Sequence, residues 1–178
     1  MAEVTINNSP IHGQSIITYP YGVPDPNYSC GWHTGIDFAP YGSTPAQPML
    51  FSVVSGEVVQ VTSDPNAALG IQVLILSSQN EYWRYCHMVQ GSVQVSVGDL
   101  VTTASEIGQM GQTGNAQGIH LHLERATTFN WTCNTFLNPA EFLQIPNVDD
   151  TIVNYDGTII SKKNNWRYFK LKQRRIIL

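Results

Sequence analysis

The octapeptide "GIHLHLER", residues 118–125, alternates between apolar and polar side chains over most of its length. On a helix, residues two apart diverge by about 200° and cannot share a ligand; on a strand they point to the same face. As a strand, the segment sets Ile119, Leu121 and Leu123 on one face and His120, His122 and Glu124 on the other. The first face suits a core, and the second presents imidazoles to a groove. Neutral histidines satisfied within a core are the plainer alternative, so the rest of the chain has to decide.

The rest of the chain also reads as strands. "SIITYPYG", "MLFSVVSGEVVQVTS", "IQVLILSS" and "EYWRYCHMV" are short β-branched or aromatic runs, separated by turn clusters such as "DPNAALG" and "SSQN". "GWHTGIDFAP" is a short extended stretch fenced by glycine and proline, and "SVQVSVGDLVTTASEIGQMGQTGNAQG" is apolar pieces punctuated by glycine. Only "NPAEFLQI" predicts a helix, with Asn138 as cap, Pro139 at the first helical position and Glu141 at the third. The expected fold is all-β, mainly antiparallel with an open groove, plus one short helix.

Four of the five histidines fall into this frame; His12 is isolated in a loop and receives no role. His33 and Asp37 lie four apart in "HTGID" and share a face if that stretch is extended, with Gly35 letting the backbone bend around an ion. His87 follows in "RYCHM". Two histidines and one carboxylate make a three-ligand zinc set that leaves a fourth position for water, as hydrolytic rather than structural sites do. Two histidines then remain to move protons or to stabilise an oxyanion. There is no His-Glu-x-x-His, so a glutamate base on a helix is not expected, and "GQTGNAQG" lacks the Lys-Ser/Thr ending of a phosphate loop. Tyr21, Tyr28, Trp32, Tyr82, Trp83 and Trp131 are candidates for a groove floor, each of which would by default be core or rim.

"HTGIDFAP" with "GIHLHLE" resembles the paired signature of the lysostaphin-like (LytM-type) zinc endopeptidases, which cleave peptide cross-links of bacterial peptidoglycan. The flanks agree in order over roughly residues 16–145: "ITYPYG", "VSGEVVQV", "YCHM" and "IGQMGQTGNAQG". The resemblance implies one zinc ion held by His33, Asp37 and His122, with His87 and His120 as the catalytic pair. It further implies an endopeptidase hydrolysing amide bonds in peptidoglycan stems or cross-bridges. Leu123 stands where the family usually has an aromatic, and the segment after Asp37 is slightly longer. The alternative is a non-catalytic wall-binding or virion scaffold module that keeps zinc for stability. Intact His87 and His120 speak against it, since binding needs neither.

Charge divides the chain. Residues 1–161 hold all 13 acidic residues but only Arg84 and Arg125 of the nine basic ones, a balance of −11, whereas residues 162–178 carry +7. The expected organisation is a zinc endopeptidase domain over residues 1–148 and a basic hairpin or tail over 149–178, with Asp156-Gly157 as its turn. An acidic body is a poor nucleic-acid binder. No apolar run approaches the ~20 residues of a membrane-spanning helix, so membrane insertion is not expected. "MAEVTINNSPIHGQS" has neither a basic start nor an apolar stretch, so no signal peptide is expected. That fits a bacteriophage product acting on the cell wall, released with a lysis partner or carried on the virion. Cys30, Cys86 and Cys133 match no metal-binding spacing and are expected as three buried thiols, with a Cys30–Cys133 disulfide as the alternative.

Overall fold

β-Branched and aromatic runs make strands throughout residues 2–156, the residues that the computed structural model describes. In chain order they are β1 (Glu3–Ile6), β2 (Gln14–Tyr19), β3 (Ile36–Pro40), β4 (Met49–Phe51), β5 (Gly56–Thr62) and β6 (Ile71–Ser77). Then follow β7 (Tyr82–Met88), β8 (Leu100–Val101), β9 (Glu106–Gln109), β10 (Leu121–Ala126), β11 (Phe136–Leu137) and β12 (Ile152–Tyr155). The helix α1 (Pro139–Leu143) starts where expected: the Asn138 side chain accepts from the Ala140 N–H. It ends at Gln144 in a left-handed conformation.

The main sheet runs β1-β12-β2-β3-β10-β7-β6-β5-β8, with β11 added to β10, while β4 and β9 form a separate pair. Pairings are antiparallel except β1 with β12. Strand β12 lies between β1 and β2, so residues 152–155, just beyond the expected boundary at 148, belong to the main sheet. The hairpin expected at Asp156-Gly157 and the basic tail lie outside the described residues.

One cluster gathers Ile17, Phe38, Val73, Trp83, Tyr85, Leu121 and Leu123, all fully buried. Leu123, where the resembling family has an aromatic, is fully enclosed in this cluster. Tyr85 enters the core with its hydroxyl accepting from the Val53 N–H at 2.9 Å, which satisfies an otherwise orphaned buried group.

The expectation of three thiols is corrected: Cys30 and Cys133 form a disulfide, with Cα atoms 5.4 Å apart across 103 residues. Antiparallel pairing of β3 with β10 explains the encounter, since the segment entering β3 and the segment leaving β10 lie at the same end of the sheet. Sequence spacing carries no trace of that proximity. Cys86 alone remains a free, buried thiol.

Candidate metal centre

Strand β10 lies at the centre of the site because it pairs on both edges. Against β3 the register sets His122 opposite Asp37, and against β7 it sets Glu124 opposite Arg84. The polar face of β10 is also covered, with His122 0% and Glu124 1% exposed, where the sequence had suggested a face open to a groove. His33 lies outside any strand. Two hydrogen bonds hold its backbone, from the Gly22 N–H to its carbonyl (2.9 Å) and from its own N–H to Val23 O (2.8 Å).

Three donor atoms converge: His33 Nε2 is 3.0 Å from His122 Nδ1, and Asp37 Oδ1 is 3.2 Å and 2.8 Å from these two nitrogens. His33, Asp37 and His122 are all buried and form the one such metal-capable group among the described residues. Tautomers follow from the partners. A carbonyl oxygen only accepts, so His33 Nδ1 must donate to Pro20 O (2.9 Å), which leaves Nε2 as the nitrogen that a metal could use. The same reasoning holds for His87, whose Nδ1 donates to Thr113 O (2.7 Å), and for His120, whose Nδ1 donates to Gly118 O (3.0 Å). Each of the three rings then presents Nε2 to the site.

Electrostatics point the same way. Burial would pull the His122 imidazole down, but Asp37 and Glu124 raise it to about 9. Burial opposes ionisation of Asp37, yet hydrogen bonds and attraction from His122 and His33 hold it well below the usual carboxylate range. Two imidazoles and a carboxylate thus surround a single positive charge, here a proton on His122. A divalent cation meets the same donor set, mixed N/O ligands suited to zinc.

His87 and His120 flank this group, their ring centroids 4.7 Å apart, and His120 Nε2 is 3.7 Å from Asp37 Oδ2. His87 has φ of 61°, in the left-handed region. The β6–β7 register shifts between Ile71 and Val73, so Cys86 and His87 together oppose one residue of β6, as in a β-bulge. The bulge re-aims the His87 side chain out of the strand's alternation, and its N–H donates to Leu69 O at 3.0 Å. Burial pulls its imidazole down to about 4, so it is neutral at pH 7.

All five candidate residues therefore meet in one place. Sequence reasoning did not single out Tyr19, which stacks on His33 at 4.4 Å, nor Arg84 and Thr34, which hold Glu124. Tyr28 stands edge-on to His33 at 5.2 Å. Trp83, a candidate for the groove floor, is core and packs on Phe142. Trp32 and Trp131 instead meet at Phe136.

An antiparallel sheet carrying a buried His/Asp/His donor set, with two further imidazoles beside it, is an arrangement that suits a metal-dependent hydrolase. Residues 31–132 match Peptidase family M23, and the chain belongs to that family, as a metallo-endopeptidase. It resembles the catalytic domain of the antimicrobial peptidase lysostaphin from Staphylococcus simulans, at 28% identity and TM-score 0.58, over 72% of this chain and 91% of that one. It also resembles the catalytic domain of the prophage-encoded M23 protein EnpA from Enterococcus faecalis, at 28% identity and TM-score 0.52, over 70% and 88%. A zinc-containing peptidase from Vibrio cholerae matches at 26% identity and TM-score 0.57, over 76% of this chain but 39% of that longer one.

Proposed function

We propose that this chain is a zinc-dependent endopeptidase of bacterial peptidoglycan, with His33, Asp37 and His122 as metal ligands and His87 and His120 as the catalytic pair. The observation that carries the proposal is the convergence of His33 Nε2, Asp37 Oδ1 and His122 Nδ1 beside two imidazoles whose Nε2 atoms are free to exchange protons. Membership of family M23 and likeness to lysostaphin support the substrate class.

Zinc bound by these three residues would polarise the scissile carbonyl and bring the pKa of a bound water to about 7. His120 Nε2, on the Asp37 side, is placed to take the proton of the attacking water. His120 would then return that proton to the leaving amine, while His87, kept neutral by burial with its proton on Nδ1, would accept at Nε2 a hydrogen bond from the attacking water. Gly118 O and Thr113 O hold the two rings by Nδ1, so neither needs to reorient during turnover.

Release of new amino termini from purified cell walls of several peptidoglycan chemotypes tests the proposal. Zinc-loaded protein should release them and chelator-stripped protein should not. Equal release by both, or none from any wall, would overturn it. A role as a phage lysis protein or virion-borne wall hydrolase is supported by the likeness to prophage-encoded EnpA. Detection of the protein in purified particles or in burst lysates tests that role, and its absence from both would contradict it.

A further inference from the structure

Glu124 takes no part in the chemistry above, yet it is 1% exposed and gathers four polar contacts on two oxygens. Thr34 Oγ1 donates to Oε1 at 2.6 Å, and His122 Nε2 lies 3.1 Å from that same oxygen. Arg84 Nε donates to Oε2 at 2.6 Å, and Arg84 Nη2 also contacts Oε2. A buried ion pair is a poor device for stability alone, because an apolar pair of similar volume often does as well or better. What distinguishes this pair is its position against His122. The edge of that ring carrying Nδ1 faces Asp37 and His33, and Glu124 stands at the opposite edge. Below the ring, Gly35 leaves room that a Cβ would fill, its ideal position being 2.7 Å from His122 Cε1. Behind Glu124, the Arg84 guanidinium lies 4.0 Å over the Trp131 ring.

We infer that Glu124, braced by Arg84 and Thr34, is a positioning residue that fixes the His122 ring so that Nδ1 stays aimed at the metal-binding donors. The inference rests on the proposed zinc site and adds a support to it. Carboxylates behind ligating histidines set ring orientation and basicity, and removing such a partner typically costs roughly 10- to 100-fold in metal affinity. The β7–β10 register is what delivers Arg84 to Glu124, so one strand pairing both places the ligand and braces it.

The test is zinc affinity, measured by competition with a chromophoric chelator, together with the visible spectrum of the cobalt-substituted protein. The set comprises wild type, Glu124→Gln, the double variant Glu124→Gln/Arg84→Met, Thr34→Val and Glu81→Gln. Glu81→Gln breaks a comparable ion pair, with Arg125, that does not touch His122, and so reports a purely structural loss. The double variant leaves no uncompensated buried charge and serves if the single one fails to fold. Zinc affinity should fall roughly 10- to 100-fold in the Glu124 variants, and by less in Thr34→Val, with an altered cobalt spectrum. Glu81→Gln should match wild type. Affinities of the Glu124 variants within twofold of wild type, with an unchanged spectrum, would overturn the inference while leaving the zinc site standing. A wild type that binds no zinc would take down both together.

Discussion

At the scale of single residues, the site is decided by which ring nitrogen is free. Backbone carbonyls at Pro20, Thr113 and Gly118 each consume one Nδ1–H, which leaves Nε2 of His33, His87 and His120 turned inward. Asp37 is the common partner, within 3.2 Å of two imidazoles and 3.7 Å of a third. Asp37→Ala should therefore reduce zinc affinity beyond the roughly 10- to 100-fold expected of a supporting residue; elemental analysis showing full occupancy would contradict its role. The raised His122 value has a consequence with a definite sign. In the metal-free protein its contribution to stability is present below the unfolded value and is lost as pH rises through about 9. Asp37 and Glu124, both held low in the fold, contribute above the ordinary carboxylate range and lose that contribution in acid. Zinc must displace the His122 proton, so its affinity should rise between pH 7 and 9, with about one proton released per ion near pH 7. Calorimetry in buffers of different ionisation enthalpy measures that release, and pH-independent binding would contradict it.

At the scale of elements, two strand pairings and one bulge assemble the centre. The period-2 pattern of "GIHLHLER" was enough to place His120, His122 and Glu124 on one side of a strand. Register was not legible: nothing in the sequence states that β10 pairs with β3 and β7 at once, which is what sets His122 beside Asp37 and Glu124 beside Arg84. His33 was expected to share a face with Asp37 on an extended segment, with a bend at Gly35; the bend is there, but His33 lies in a loop and not on the strand. An ideal Cβ on Gly35 would stand 2.6 Å from Leu123 O and 2.7 Å from His122 Cε1. Gly35→Ala should thus spread β3 from β10, lowering stability by about 1–3 kcal/mol and weakening zinc binding. Denaturation and zinc titration of the variant check both, and wild-type values in each would show that the approach is not tight. The bulge at Cys86 and His87 was equally hidden, because a left-handed histidine leaves no mark in a β-rich run.

At the scale of the whole molecule, the fold class was legible from strand-length runs and turn clusters, and the helix from its cap and proline. The disulfide was not legible, because Cys30 and Cys133 become neighbours only once β3 and β10 have paired. It ties the loop carrying Tyr28, which meets His33, to the loop carrying Trp131, which meets Arg84. Closing a loop of 103 residues stabilises a fold by up to about 4.7 kcal/mol by the chain-entropy model. Reduction, or Cys30→Ser with Cys133→Ser, should lower the denaturation midpoint markedly; an unchanged midpoint would show that the bridge contributes nothing. A persistent disulfide also suits an oxidising setting, as found outside the cytosol.

The most direct single measurement is the zinc content and wall-peptide turnover of His120→Ala, taken on one preparation. His120 is assigned to proton transfer and not to metal binding, so the variant should hold one zinc ion while turnover falls by roughly 10²- to 10⁴-fold. Turnover at the wild-type rate, or loss of the zinc, would contradict the division of labour between His33, Asp37 and His122 on one side and His87 and His120 on the other.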